Sequence, residues 1–274
     1  MMHLSYLKKK RIWLLALAVG IGFYIVLFVI DTLLPEQQDI ASAMAIAWIS
    51  GWVLFWARQL WVQQEVLHTR SMRWQEAWQS IRSWMPNLGA LPPATGFSIA
   101  PDAALHMLRE LHARKPEVVM ELGAGLSTYL MAALIQQEGL STKILSIESD
   151  MAYLQQVEKE LKAKGLDACV QLVHAPLEPI EVEGTTYPWY TLPETLPAID
   201  MLIIDGPPER TGKIARYPAI PVLAGRLTPQ ALVIADDADR KDVRDCIALW
   251  NRNKEWTVQY HPLTREIATL SRHA

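Results

Sequence analysis

The chain has 274 residues, room for one domain of average size plus an accessory segment. Its mean hydropathy of +0.09 and its 11 Trp are high for an enzyme domain, and the net charge of -3 hides an asymmetry, because residues 1–90 are net basic and residues 91–274 net acidic. An acidic C-terminal part argues against a nucleic-acid partner, and two cysteines, Cys169 and Cys246, without metal-type or redox-type spacing, argue against a disulfide framework.

In chain order, residues 12–30 are an unbroken uncharged run, close to the ~20 residues a helix needs to cross ~30 Å of hydrocarbon. Lys8, Lys9, Lys10 and Arg11 before it resemble the start of a signal peptide. The run is long for one, however, and Asp31 to Pro35 is a poor cleavage site. Residues 40–57 form a second apolar run whose small residues (Ala41, Ser42, Ala43, Ala45, Ala47, Gly51) suit close helix approach in lipid. A transmembrane helical hairpin within residues 1–62 is the expectation, embedded in the lipid bilayer. Bases flank it on both sides (Arg58, Arg70 and Arg73 after it), whereas the connecting loop has Asp31, Glu36 and Asp39 and no base, which predicts a multi-pass protein of the cell membrane with both termini and the C-terminal domain cytosolic. Within residues 63–94, Leu67, Trp74, Trp78, Ile81 and Met85 recur at helical spacing. They predict an amphipathic helix, either interfacial or packed on the following domain, ended by Pro86 to Pro93.

Residues 95–274 alternate helices with short apolar strands, the pattern of βαβ units in a mostly parallel sheet. Pro101 opens a helix to about Arg114, and strands are expected at Val118–Leu122, Lys143–Ile147, Ala168–Val173, Asp200–Ile204 and Ala231–Ala235. Asp150 is placed to cap the helix after the second strand. Trp256–His261 and Glu266–Ser271 read as a closing antiparallel hairpin.

Gly123 and Gly125 follow the first strand, where a missing Cβ lets backbone approach a ligand. Glu121 lies two residues before this turn, and Glu148 ends the next strand, where a carboxylate can accept both hydroxyls of a ribose. Glu121 to Thr128, Ile147-Glu148 and Asp200 to Gly206 together resemble class I S-adenosylmethionine-dependent methyltransferases over about residues 95–274. The resemblance implies an α/β, Rossmann-like methyltransferase sheet with a terminal antiparallel β-hairpin. It also implies S-adenosylmethionine as cofactor, held by Glu121, Gly123, Gly125, Ser127 and Glu148, with Ala175 and Leu177 along the adenine. Ser127-Thr128 stands where a third glycine is often found.

Asp205 ends the fourth strand and Asp236 and Asp237 the fifth, adjacent positions in such a sheet, so three carboxylates point to one crevice. Oxygen ligands of this kind suit Mg²⁺, and the arrangement resembles metal-dependent O-methyltransferases. Capping of a helix near Ala238 by Asp237, and ordering of a loop by Asp205, are the alternatives. Asp205-Gly-Pro-Pro-Glu-Arg and Arg216-Tyr-Pro-Ala resemble one subgroup of these enzymes. Asp205, Glu209 and Lys213 are the candidate catalytic residues, with His174 a further candidate base, and Gly184 to Tyr190 is either an acceptor wall or a packed loop. The expected reaction is O-methylation of a small or lipid-linked hydroxylated acceptor. A membrane-bound NAD-dependent oxidoreductase and an inactive membrane scaffold are the competing readings; Thr128 breaks the dinucleotide glycine pattern against the first, and intact cofactor residues stand against the second.

Overall fold

The computed structural model describes residues 19–26, 28–29, 32, 38–91 and 98–272. Two compact units divide the chain, residues 1–70 and residues 71–274. In the first, residues 19–26 are helical and Phe23 stacks on Trp48 of helix α1 (Gln38–Trp84), with ring centroids 5.0 Å apart.

The expected transmembrane hairpin, and with it the multi-pass membrane localisation, is corrected by the structure. Among the described residues no helix is long and apolar enough to cross a membrane. Of the first run, residues 12–18, 27 and 30 lie outside the described residues. The second is not a separate element but part of the 47-residue α1, which continues past Arg58 and Gln59. Freedom from charge made it look like a span. Its apolar side chains are interleaved with Ser42, Ser50, Gly51, Trp48, Trp52 and Trp56, and an indole carries a polar N–H that an aliphatic side chain lacks. The end of α1 decides between the two readings of the amphipathic helix. Ala77, Ile81 and Met85 are buried and Trp74, Trp78 and Trp84 pack on the core of the α/β unit, while Trp84 Nε1 donates to Glu138 Oε1 at 3.2 Å.

The α/β unit continues with α2 (Pro101–Arg114), β1 (Val118–Leu122), α3 (Leu126–Glu138), β2 (Lys143–Glu148), α4 (Met151–Ala163), β3 (Val170–His174), β4 (Leu177–Val182), β5 (Thr185–Tyr190) and β6 (Ile199–Ile204). After β6 come α5 (Ala219–Leu223), β7 (Leu227–Ala235), α6 (Lys241–Trp250), β8 (Trp256–His261) and β9 (Ile267–Arg272). Seven strands form one sheet in the order β3-β2-β1-β6-β7-β9-β8, parallel except for β9, which runs antiparallel to both β7 and β8. Strand residues alternate between two cores: Val119, Met201, Ile203, Leu232 and Ile234 face α2, α3 and α4, whereas Met120, Leu122, Leu202, Ile204 and Val233 face α5, α6 and the β4–β5 hairpin. The chain moves outward from β1 to β3 and returns beside β1 as β6. This reversal opens a crevice at the carboxyl ends of β1 and β6, the place where open α/β sheets bind ligands.

Gly184 to Tyr190, expected as an acceptor wall or a packed loop, belongs to the β4–β5 hairpin. Glu183 and Gly184, at φ +51° and +74°, make its two-residue turn. Glu183 is tied to Arg252 and to the Tyr217 hydroxyl, which donates to Oε2 at 2.7 Å, and these two partners hold its carboxyl below the usual range. Trp189 and Tyr190 at the hairpin's end are buried against the sheet.

Candidate functional site

Gly123, at φ +106°, turns the chain out of β1, and a Cβ there would sit 3.5 Å from the backbone of Asp205 and Gly206. The turn therefore closes tightly on the end of β6. Glu121 lies fully buried beneath it, where its Oε2 accepts from the Thr128 hydroxyl at 2.5 Å and the Ser146 hydroxyl at 2.7 Å. Burial raises its pKa, partly offset by the Ser127, Thr128 and Ser146 hydroxyls. The same Thr128 oxygen accepts the Gly125 N–H at 2.9 Å, so one hydroxyl links the buried acid, the turn and the first turn of α3. Threonine in place of a third glycine thus supplies a donor to Glu121 that glycine lacks. Thr128→Val is expected to destabilise the domain by roughly 1–3 kcal/mol, the range for a buried polar group left without its partner. Chemical denaturation checks it, and a loss well under 1 kcal/mol would mean the link is dispensable.

Glu148, half-buried at the end of β2, accepts from the Asp150 N–H at 2.8 Å through Oε1. Asp150 caps α4 by accepting from the N–H groups of Ala152 and Tyr153 at 2.9 and 3.1 Å. Ala175 is buried and donates its N–H to the Glu148 carbonyl at 2.8 Å, which brings the start of the β3–β4 connection, with half-buried Leu177 just beyond, beside the end of β2. His174 sits opposite Glu148 in the β2–β3 register, and its Nε2 donates to the Ser149 carbonyl at 3.1 Å.

Across the crevice, one ligand oxygen from each of Asp205, Asp236 and Asp237 lies within 4.8 Å of the others. Asp237 does not cap a helix, since α6 begins at Lys241 and Asp237 stands in the left-handed region at φ +58°. The sequence reading assigned no role to the group at the centre, Arg216. The residue is 6% exposed, and its guanidinium donates to the carbonyls of Asp205 (2.6 Å) and Asp236 (2.8 Å), to Asp205 Oδ1 (3.2 Å) and to Asp237 Oδ2 (3.3 Å). Arg240 adds a second contact to Asp237 Oδ2 at 3.0 Å. Burial raises the pKa of Asp205 well above the usual value, Asp236 adds to this and Arg216 opposes it. Asp236 is pushed up to about 6, by burial first and Asp237 second. Three carboxylates suit a hard cation in donor type, but Arg216 already holds the space between two of them. The residues present do not fit Mg²⁺.

Glu209 and Lys213, on the loop after β6, are exposed, and Glu209 lies 3.8 Å from Arg240. Asp205 differs from both: its side chain is one-fifth exposed, more open to the crevice than Asp236 or Asp237, and its Cβ would lie 3.8 Å from a Cβ at Gly123. Gly206 beside it makes room for Tyr190, whose hydroxyl would be 2.1 Å from an added Cβ. Burial raises the pKa of the Tyr190 phenol, with Glu148, Asp205 and Glu121 adding to it and Arg216 opposing, so it stays protonated.

The glycine turn, the strand-end carboxylate opposite it and the acid wall line the switch-point crevice where open α/β sheets bind ligands. A family model described as a methyltransferase domain matches residues 120–238, a span that contains the glycine turn, Glu148, Arg216 and the three aspartates. Over those residues the chain is similar to a methyltransferase domain. Its fold is shared with a candidate O-methyltransferase from Klebsiella pneumoniae, at a TM-score of 0.50 and 19% identity over 72% of this chain and 90% of that one. A methyltransferase from Geobacter sulfurreducens (TM-score 0.49, 15% identity, 72% and 96% covered) and an O-methyltransferase from Bacillus cereus solved with SAH (0.49, 13%, 73% and 91%) are also similar. No curated protein matches the chain.

Proposed function

We propose that the enzyme transfers a methyl group from S-adenosylmethionine to an oxygen of a small hydroxylated acceptor. The observation that carries this reading is the pairing of the Gly123–Gly125 turn with Glu148 across the ends of β1 and β2. The lipid-linked acceptor rested on the membrane hairpin and is set aside with it. When bound, the cofactor supplies an electrophilic methyl on a sulfonium sulfur. Glu148 accepts the ribose hydroxyls, Ala175 and Leu177 border the adenine, and the glycine turn lets backbone close on the methionine end. Glu121 acts from beneath, holding the turn through Thr128.

The acceptor lies between Asp205 and Tyr190. Asp205 would take the acceptor's hydroxyl proton while the bound cofactor would supply the methyl group, and burial raises the Asp205 pKa toward the working range of a general base. The Tyr190 phenol, kept neutral, donates to the acceptor oxygen and aligns it for in-line attack. Calorimetric titration of the full chain with S-adenosylmethionine, SAH and NAD tests the reading. One equivalent each of the first two should bind and NAD should not; tight NAD binding without either of the others would replace the methyltransferase chemistry with hydride transfer.

A further inference from the structure

We propose that Arg216 takes the place of a divalent cation at the Asp205–Asp236–Asp237 cluster, so that this enzyme works with an internal cation and needs no metal. Three observations converge on it. The guanidinium Nη2 is shared between Asp205 Oδ1 and Asp237 Oδ2, so a positive charge already stands between two of the three carboxylates. Arg216 also donates to the main-chain carbonyls that end β6 and β7, Asp205 at 2.6 Å and Asp236 at 2.8 Å. These bonds do not depend on the carboxylates, and swinging the side chain out to admit an ion would leave both carbonyls without their donor. Finally, Arg216 and Arg240 pair two positive charges with Asp205 and Asp237, as many charges as Mg²⁺ would supply.

A guanidinium has fixed donors, and four of the contacts made here are to protein oxygens. Arg216 therefore neutralises and staples the two strand ends without an open coordination position, and activation of the acceptor falls to protein groups on the crevice wall. The inference concerns the site of the proposed function, yet its test reads metal binding and not turnover, so the two fail separately.

The test is titration of the full chain with MnCl₂, followed by the electron paramagnetic signal of free Mn²⁺ and by thermal melting, for the wild type, Arg216→Met and Asp236→Asn. The wild type should show no saturable site up to roughly 1 mM Mn²⁺, and excess chelator should leave its melting temperature and its S-adenosylmethionine binding unchanged. Arg216→Met uncovers the three carboxylates and should gain one Mn²⁺ per chain, with a melting temperature that rises as Mn²⁺ is added. One equivalent of Mn²⁺ bound by the wild type and lost in Asp236→Asn overturns the proposal. So does a folded Arg216→Met that gains no site, since the acids would then not be a cation site at all. If Arg216→Met does not fold, the wild-type titration alone decides.

Discussion

Arg216→Met is expected to destabilise the α/β unit by about 3–5 kcal/mol, the cost of removing one partner from a buried ion network. At ~2–4 °C per kcal/mol for a domain of this size, the melting temperature falls by roughly 10 °C. The substitution keeps most of the aliphatic stem and removes the charge, so Asp205, Asp236 and Asp237 lose a buried cation and the ends of β6 and β7 lose two hydrogen bonds. The effect should depend on pH in a stated direction. Asp205 and Asp236 already have folded pKa values above the ordinary 3.8, Asp236 at about 6, so the native state holds protons that the unfolded chain releases. Such groups favour folding at low pH, and that contribution is lost as pH rises from about 4 through 6. Without Arg216 the folded values climb further, so the gap between variant and wild type should be smallest near pH 5 and widen toward pH 8. Melts at those two pH values check it. An equal loss at both would mean that packing, not the acids' charge, sets the cost.

The second large effect is on the cofactor. Glu148→Ala should weaken S-adenosylmethionine about a hundredfold, near 3 kcal/mol, since hydrogen bonds to a charged group contribute roughly 1.5–3 kcal/mol each and the ribose offers two hydroxyls. SAH has the same ribose, so it should lose the same factor; a loss confined to the sulfonium form would point to charge attraction instead. Glu148 also accepts the Asp150 N–H at the head of α4. Glu148→Gln keeps that acceptor and should hold the melting temperature near the wild type while still weakening both ligands. Unchanged affinity in both variants would remove Glu148 from the ribose.

Much of the sheet could be read from the chain because β1, β2 and β6 are buried on both faces, which leaves continuous apolar runs punctuated by glycine and acid. The glycine turn and the strand-end carboxylates are legible for a related reason: a backbone that must turn at the mouth of a sheet, and an acid that must end a strand, are local requirements written in a few adjacent residues. The β4–β5 hairpin carries a proline in each strand, Pro179 and Pro188, which weakens the strand signal in the sequence. In the fold they stand opposite each other, a pairing that tolerates two missing N–H donors where the ladder places none. The apolar run at 40–57 was misread because freedom from charge is a feature of the string, whereas membrane crossing depends on the transfer energy of a whole helix, and that run belongs to one helix reaching Trp84. Arg216 is the clearest case of what tertiary structure alone decides. It lies on a loop 11 residues after Asp205 and 20 before Asp236, and although Arg216-Tyr-Pro-Ala stands out as a motif, nothing local shows what its guanidinium binds. Only the parallel pairing of β6 with β7 brings those two strand ends together, and only there does a buried arginine find the carbonyls and carboxylates that hold it.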